Sequence, residues 1–427
     1  MIGFIVLLCV IGLVLINVPI AVALSIAALV AIVATQGLAA LPNVPLTLYA
    51  GATSFPLIAI PLFILAGAIM NTSGISQKLM DFCTALVGWM KGALAQVNVI
   101  TSMFFAEISG SAVADIAATG PIIIPAMKKA GYPGPFTAAV TSSTASLAII
   151  IPPSIPMILY AVMAGASVVQ LFVAGIVPGL IAGFTMMGLC HYYAVKFNWP
   201  VESIFQWSKL WRAFKETWAA LTLPIIILGG IFGGIVTATE GAALAVVAAL
   251  FVGGVIYRDL SWARLRQAIV EGSVQTASVM LLVAASALLG LYLTEAQLPQ
   301  QVAEFMIGIT KEKWAILLIL NVFFLVVGMF LHSAAAIILV VPIVMPAVTA
   351  AGIDPVHFGV IVTLNLAIGQ QTPPVASVLM LTCSIAKESV WDVTRANIPF
   401  IGVLLATLML ITYVPVVTLG LVNAFYR

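Results

Sequence analysis

Charge is what this sequence has least of. Only 7% of its 427 residues are Asp, Glu, Lys or Arg, while 63% are hydrophobic. No soluble fold of this length hides so much apolar surface behind so few charges. A bilayer removes the difficulty, because there the apolar faces already sit in their preferred solvent. Cysteine is scarce as well. Cys9, Cys83, Cys190 and Cys383 lie far apart in apolar stretches without a C-x-x-C pair. Disulfide and metal-site readings therefore fail, and the four are expected to be buried small hydrophobes. Basic stripes with interleaved aromatics are missing, which excludes nucleic acid as a partner. There is no GxxxxGK[ST], no kinase motif set and no pair of carboxylates suited to a soluble catalytic cleft. The chain does not read as an enzyme or an ATP-driven machine, so energy must come from an ion gradient if it comes at all. Met1–Val18 has neither a basic n-region nor a small-residue cleavage site, and it reads as a retained first span.

What is present is repetition. Shifting the chain by 221 residues pairs Pro121 with Pro342, Pro125 with Pro346, Pro152 with Pro373, Pro153 with Pro374 and Pro178 with Pro399. Gly131 meets Gly352 under the same shift. With 23 prolines in 427 residues, five ungapped coincidences point to two copies of one unit. The expected layout is a first copy over 1–199, a connector over 200–221 and a second copy over 222–427. Trp207, Lys209, Trp211, Arg212, Lys215 and Trp218 give the connector the look of a helix lying flat at the headgroups.

Each copy is expected to hold about five transmembrane helices and one re-entrant hairpin, the hairpins falling near 92–127 and 313–350. In the first copy two short helices flank a break at Asn17–Pro19, matched in the second by a break containing Thr237–Glu240. A span near 48–72 and a more polar helix near 75–90 follow. The hairpin comes next, then a long segment near 134–163 broken at Pro152–Pro153, and a last span near 166–195. An odd number of crossings per copy makes the two copies inverted relative to each other. Charge supports the layout. Of 16 Lys and Arg, only Lys311, Lys313 and Arg427 fall outside the loops assigned to the cytoplasm. Both termini are then expected on the outer side. The fold class is an all-α polytopic membrane protein.

Broken backbone persists at membrane depth only where it faces protein or a water-filled cavity. Four breaks occupy matched places: the hairpin tips Ile108–Ala112 and Phe330–Ser333, and the segments around Pro152–Pro153 and Gly369–Pro374. Paired prolines remove amide donors and free upstream carbonyls. Those carbonyls, with nearby hydroxyls and amides, make an oxygen cage suited to a hard cation such as Na⁺. The candidates are Ser109, Gly110, Ser111, Ser143, Thr144 and Pro152 in the first copy. In the second they are Ser333, Asn365 (the mate of Thr144), Gln371 and Thr372. Helices restarting after each break aim partial positive charge into the same cavity, a seat for a carboxylate. Asp115, Ser154, His332 and Gln370 are the candidate solute contacts. The plainer alternative is that Pro-Pro kinks a span and the hydroxyls bond back to their own helix. Glu107 and Asp115 then stabilise the hairpin, Glu240 is an interfacial turn residue, and His332 a polar cap.

The run Ser109-Gly-Ser-Ala-Val-Ala-Asp115, with Gly120-Pro-Ile-Ile-Ile-Pro125-Ala-Met127, Lys129-Ala-Gly-Tyr132 and Ile150-Ile-Pro-Pro-Ser154, resembles the large membrane subunit of tripartite ATP-independent periplasmic (TRAP) transporters. Gln371-Thr-Pro-Pro374 and Thr237-Ala-Thr-Glu240 match the same family, which often has Thr-Pro-Thr in the latter place. The resemblance covers essentially the whole chain. It implies a small four-helix membrane subunit and a soluble periplasmic binding protein as partners. It also implies Na⁺ as the driving ion, no other cofactor, and a hairpin-bearing domain moving elevator-like against a scaffold in a bacterial inner membrane. Family solutes are mostly organic acids, and the resemblance to sialic-acid systems makes N-acetylneuraminate the expected one. Two other readings stand beside it. A stand-alone divalent-anion/Na⁺ symporter would share the hairpins but need no binding protein. An antiporter-like subunit of a respiratory proton pump would want Lys and Glu at the centres of its spans.

Overall fold

The computed structural model describes all residues except 1, 17, 200, 202–203 and 427. Among the described residues there is no strand, and α-helices follow one another in two halves. The first half contains α1 (Ile2–Leu15), α2 (Ile20–Gln36), α3 (Asn43–Ala52), α4 (Ala59–Thr72), α5 (Ile75–Val87), α6 (Ala93–Ser109), α7 (Ala112–Lys129), α8 (Gly134–Ala145), α9 (Ile155–Ala164) and α10 (Val168–Lys196). The second contains α11 (Trp207–Phe232), α12 (Ala238–Phe251), α13 (Trp262–Glu295), α14 (Leu298–Ile309), α15 (Lys313–Phe330), α16 (Ser333–Ala350), α17 (Pro355–Gly369), α18 (Ser377–Ala386), α19 (Val390–Tyr413) and α20 (Val416–Tyr426).

Eight helical stretches among the described residues are long and apolar enough to cross a membrane. The segments with paired prolines are not among them, because each divides into two pieces too short to span alone. Starts recur at the offset read from the prolines: Ala112 and Ser333 open α7 and α16, and Gly134 and Pro355 open α8 and α17. α8 is buried from Phe136 to Ala145, and α17 from Val356 to Gly369. A helix buried on every side is a core helix. These two therefore stand at the centre of the molecule, and their broken ends meet protein rather than lipid.

Three expectations need correction. The span near 48–72 is divided: α3 ends at Ala52, Ser54 is extended, and a tight 3₁₀ turn over Phe55–Ile58 leads into α4. Pro56 is the cause, since it lacks an N–H and pushes its predecessor out of the α region. The connector is not a separate element. α11 starts at Trp207 and runs unbroken past residue 221 to Phe232, while Pro200 lies outside the described residues. Its first turns still carry Trp207, Trp211, Phe214 and Trp218 exposed along one face, with the Lys215 ammonium 5.6 Å from the Trp211 ring centre. Cys83, Cys190 and Cys383 are buried as expected, but Cys9 is exposed.

The break between α1 and α2 includes Asn17, outside the described residues. The matching break before α12 is closed by a capping box, in which Thr237 accepts from the Glu240 amide and Glu240 accepts from the Thr237 amide. Glu240 is thus a helix-start residue.

Candidate functional site

Where hairpins are expected, a short turn joins α6 to α7 and another joins α15 to α16. At the first tip Gly110 takes a left-handed φ of +56°, and a Cβ there would lie 2.9 Å from the Pro153 carbonyl oxygen. Only glycine lets the tip press so closely on the broken helix. The Ile155 amide then donates to the Gly110 carbonyl at 3.3 Å. The second half has a comparable seam, where the Val375 amide donates to the Met329 carbonyl at 3.2 Å.

A cleft of about 50 Å³ lies between the tips. Gly110, Ser111 and Ala112 come from the first tip; His332, Ser333 and Ala334 come from the second. Ile155 and Pro156 come from the restart of α9, Gln370 from the second break, and Gln275 with Val279 from α13. Three helices, α7, α9 and α16, therefore begin at its wall. Their capping positions Ser111, Ser154 and His332 make no side-chain cap, so first-turn N–H groups of α7 and α16 remain for a ligand, whereas at the start of α9 the Ile155 amide is already bonded to Gly110 and Pro156 has none. Its lining includes no Asp, Glu, Lys or Arg. A site with converging helix N-termini and no carboxylate suits an anion.

The other candidates sort into separate clusters. Ser143 lies 2.7 Å from Gln371 Oε1 and 2.6 Å from Asn397 Oδ1, and Gln371 Nε2 donates to Ser146 Oγ at 2.6 Å. This network ties the two halves together. Thr144 instead faces α6, donating to Asn98 Oδ1 at 3.3 Å and accepting from Ser102 at 3.2 Å. Asp115 is fully buried beside the Ser102 hydroxyl, although neither carboxylate oxygen has a hydrogen-bond partner of good geometry. Asn365 donates to Asn321 Oδ1 at 2.7 Å and to the Ile361 carbonyl at 2.9 Å. Its own Oδ1 is buried without a donor.

Some candidates bond locally. Ser154 donates to the Ile149 carbonyl at 2.7 Å, Thr372 to the Ile368 carbonyl at 3.0 Å, and Ser109 to the Ser111 carbonyl at 3.3 Å. Pro152 borders a lateral apolar cavity that it shares with Glu107, not the cleft. Sequence reasoning missed Asn98, Ser102, Ser146, Gln275, Asn321 and Asn397. Their only signal is that of polar groups isolated in apolar helices.

Interrupted helices buried around a small cleft, inside an apolar all-helical body, mark a multi-pass membrane carrier. The chain belongs to the DctM component family of tripartite ATP-independent periplasmic transporters, whose family model matches residues 7–417. It is 40% identical to the isethionate TRAP transporter permease DctMQ of Oleidesulfovibrio alaskensis over 94% of this chain, and it spans 63% of that longer relative. It is 36% identical to the C4-dicarboxylate large permease DctM of Vibrio cholerae, covering 95% of this chain and 94% of the relative. Identity is 34% to the sialic acid large permease SiaM of the same species, over 88% of each. Among solved structures the YdaH transporter of Alcanivorax borkumensis shares the fold, with a TM-score of 0.64 at 17% identity over 88% of both chains.

Proposed function

We propose that this chain is the carrier subunit of a Na⁺-coupled importer that moves an organic acid across a bacterial inner membrane. The cleft carries the reading: the N-termini of α7 and α16 open onto a small pocket without a single carboxylate in its lining. The solute's anionic group would rest on the amides opening α7 and α16.

Na⁺ fits the oxygens set back from that cleft. Asn365 Oδ1 and the Asp115 carboxylate are buried acceptors without hydrogen-bond donors, and hard cations take oxygen ligands. A bound Na⁺ would supply the positive charge these oxygens lack and would stiffen the breaks beside the solute. The two halves would be inverted copies. The hairpins and broken helices would then travel together as an elevator against a scaffold that includes α13, with both termini on the periplasmic side. The partners would be a small four-helix membrane subunit, which the exposed aromatic face of α11 leaves room for, and a periplasmic binding protein. N-acetylneuraminate is the solute we put first, as a carboxylate that also carries hydroxyls and an amide. The isethionate and dicarboxylate relatives are at least as similar in sequence as the sialic acid one.

Uptake into proteoliposomes tests the reading, using the assembled membrane subunits with purified binding proteins of several specificities. Uptake should require both an inward Na⁺ gradient and one particular binding protein. Uptake without any binding protein would move the chain to the stand-alone symporters, and indifference to Na⁺ would remove the coupling ion.

A further inference from the structure

The lateral cavity beside the first hairpin holds about 500 Å³, within the range of small-molecule sites. Its wall is built from Ile100, Met103 and Phe104 of α6, Leu180 and Phe184 of α10, and Leu228 of α11, with further apolar residues. Leu180 and Phe184 are exposed, so the cavity opens sideways, toward the lipid. Among the described residues of the wall, Glu107 alone has a polar side chain. The ion pairs among the described residues join Lys128 to Glu388 and Arg264 to Asp259, and neither involves Glu107. Its carboxyl oxygens have no hydrogen bond among the described residues, and they are not shut away from space either. Glu107 also stands in the last turn of α6, which carries no basic residue. A helix ends in roughly half a negative charge. Side chain and helix end therefore ask for a positive partner together.

The second half supplies a comparison. The 221-residue shift pairs α6 with α15 and the end of α11 with α1. Between α15 and α1 lies a cavity of about 380 Å³, walled by Val10, Val14, Phe323, Val326 and Phe330 among other residues, all of them apolar. Two matching seams thus share one apolar build, and only the first adds a carboxyl group.

We infer that the cavity at α6 is a binding site for a lipophilic amine, its nitrogen on Glu107 and its chain along the apolar wall. A carboxyl group at membrane depth is costly until it gains a partner. A bare hard cation wants six or more oxygen ligands, and this wall offers one carboxyl group. A neutral hydrocarbon would fit either seam and leave Glu107 as it was. An amine brings N–H donors and positive charge to the carboxyl, and its chain takes the apolar surface. This site is apart from the solute cleft, and it stands whether or not the solute is an organic acid.

Equilibrium binding of radiolabelled n-octylamine and n-octanol tests this, using the full-length chain in phosphatidylcholine nanodiscs near neutral pH. Empty discs measure partition into the lipid, and affinities are taken after that correction. The amine should bind about tenfold more tightly than the alcohol, the scale of one charge-assisted hydrogen bond. Glu107→Gln should bring the amine down to the level of the alcohol and leave the alcohol unchanged. An amine no tighter than the alcohol in the unaltered protein overturns the inference, and that result needs no variant to fold. A preference for the amine that survives Glu107→Gln overturns it as well, since another group would then hold the nitrogen.

Discussion

The two halves solve one problem with different parts. In the second half, α15 and α17 touch backbone to backbone: a Cβ on Gly369 would lie 2.6 Å from the Gly328 backbone. Small residues at such a crossing let buried helices close completely. Subtracting 221 places Glu107 and Ala148 at the corresponding positions of the first half. There an apolar cavity of about 500 Å³ opens beside the crossing, with Glu107, Ile151 and Pro152 in its wall. The long helices differ too. α13 runs unbroken past the cleft and lends it Gln275, whereas the mate of Gln275 is Ser54, where Pro56 splits α3 from α4. A broken helix can therefore be held from outside by backbone or by side chains. The second half is the tightly built one, and only it sends a long helix to the cleft.

The contrast can be broken most sharply at the glycine crossing. Gly369→Leu should cost about 2–3 kcal/mol by overpacking, read as a lowered unfolding midpoint, while Glu107→Leu in the open cavity should change stability by less than about 1 kcal/mol. Equal losses would erase the difference between the halves. Next in size is the cation response. Asn365 offers an oxygen without a donor, whereas Thr144 shares its place with Asn98 and Ser102. Asn365→Ala should raise the Na⁺ needed for half-maximal uptake about tenfold, and Thr144→Ala about threefold. The reverse order would mean the cage sits in the first half.

Smaller is the bond between halves. Asn397→Ala should cost about 1 kcal/mol, and combined with Gln371→Ala the loss should fall short of the sum. Strict additivity would show that no shared network exists. Smallest is the capping box, where Thr237→Ala should cost about 0.5–1 kcal/mol of helix stability; no change would mean that packing alone starts α12.

The same contrast explains what the sequence could disclose. Matching prolines located both breaks, because a residue without an amide hydrogen dictates backbone shape wherever it stands. Self-comparison reveals what the halves share and conceals what they do not. Ser143, Ser146, Gln371 and Asn397 have the mates Leu364, Ala367, Ile150 and Ile176. The network binding the halves therefore left no trace under the shift. The division at Pro56 was hidden for the same reason, since its mate is Ala277. Gln275 is remote in sequence from every break and reaches the cleft only through packing. The unbroken course of α11 was masked by its aromatic and cationic first turns, which look like an element of their own.

Gly110 has one further consequence. Its carbonyl holds the Ile155 amide, and its missing side chain is what admits the Pro153 carbonyl. Neither piece can slide along the other without severing that bond or driving two carbonyls together. Whatever opens the pocket must carry the loop and the restarted helix as a single lever.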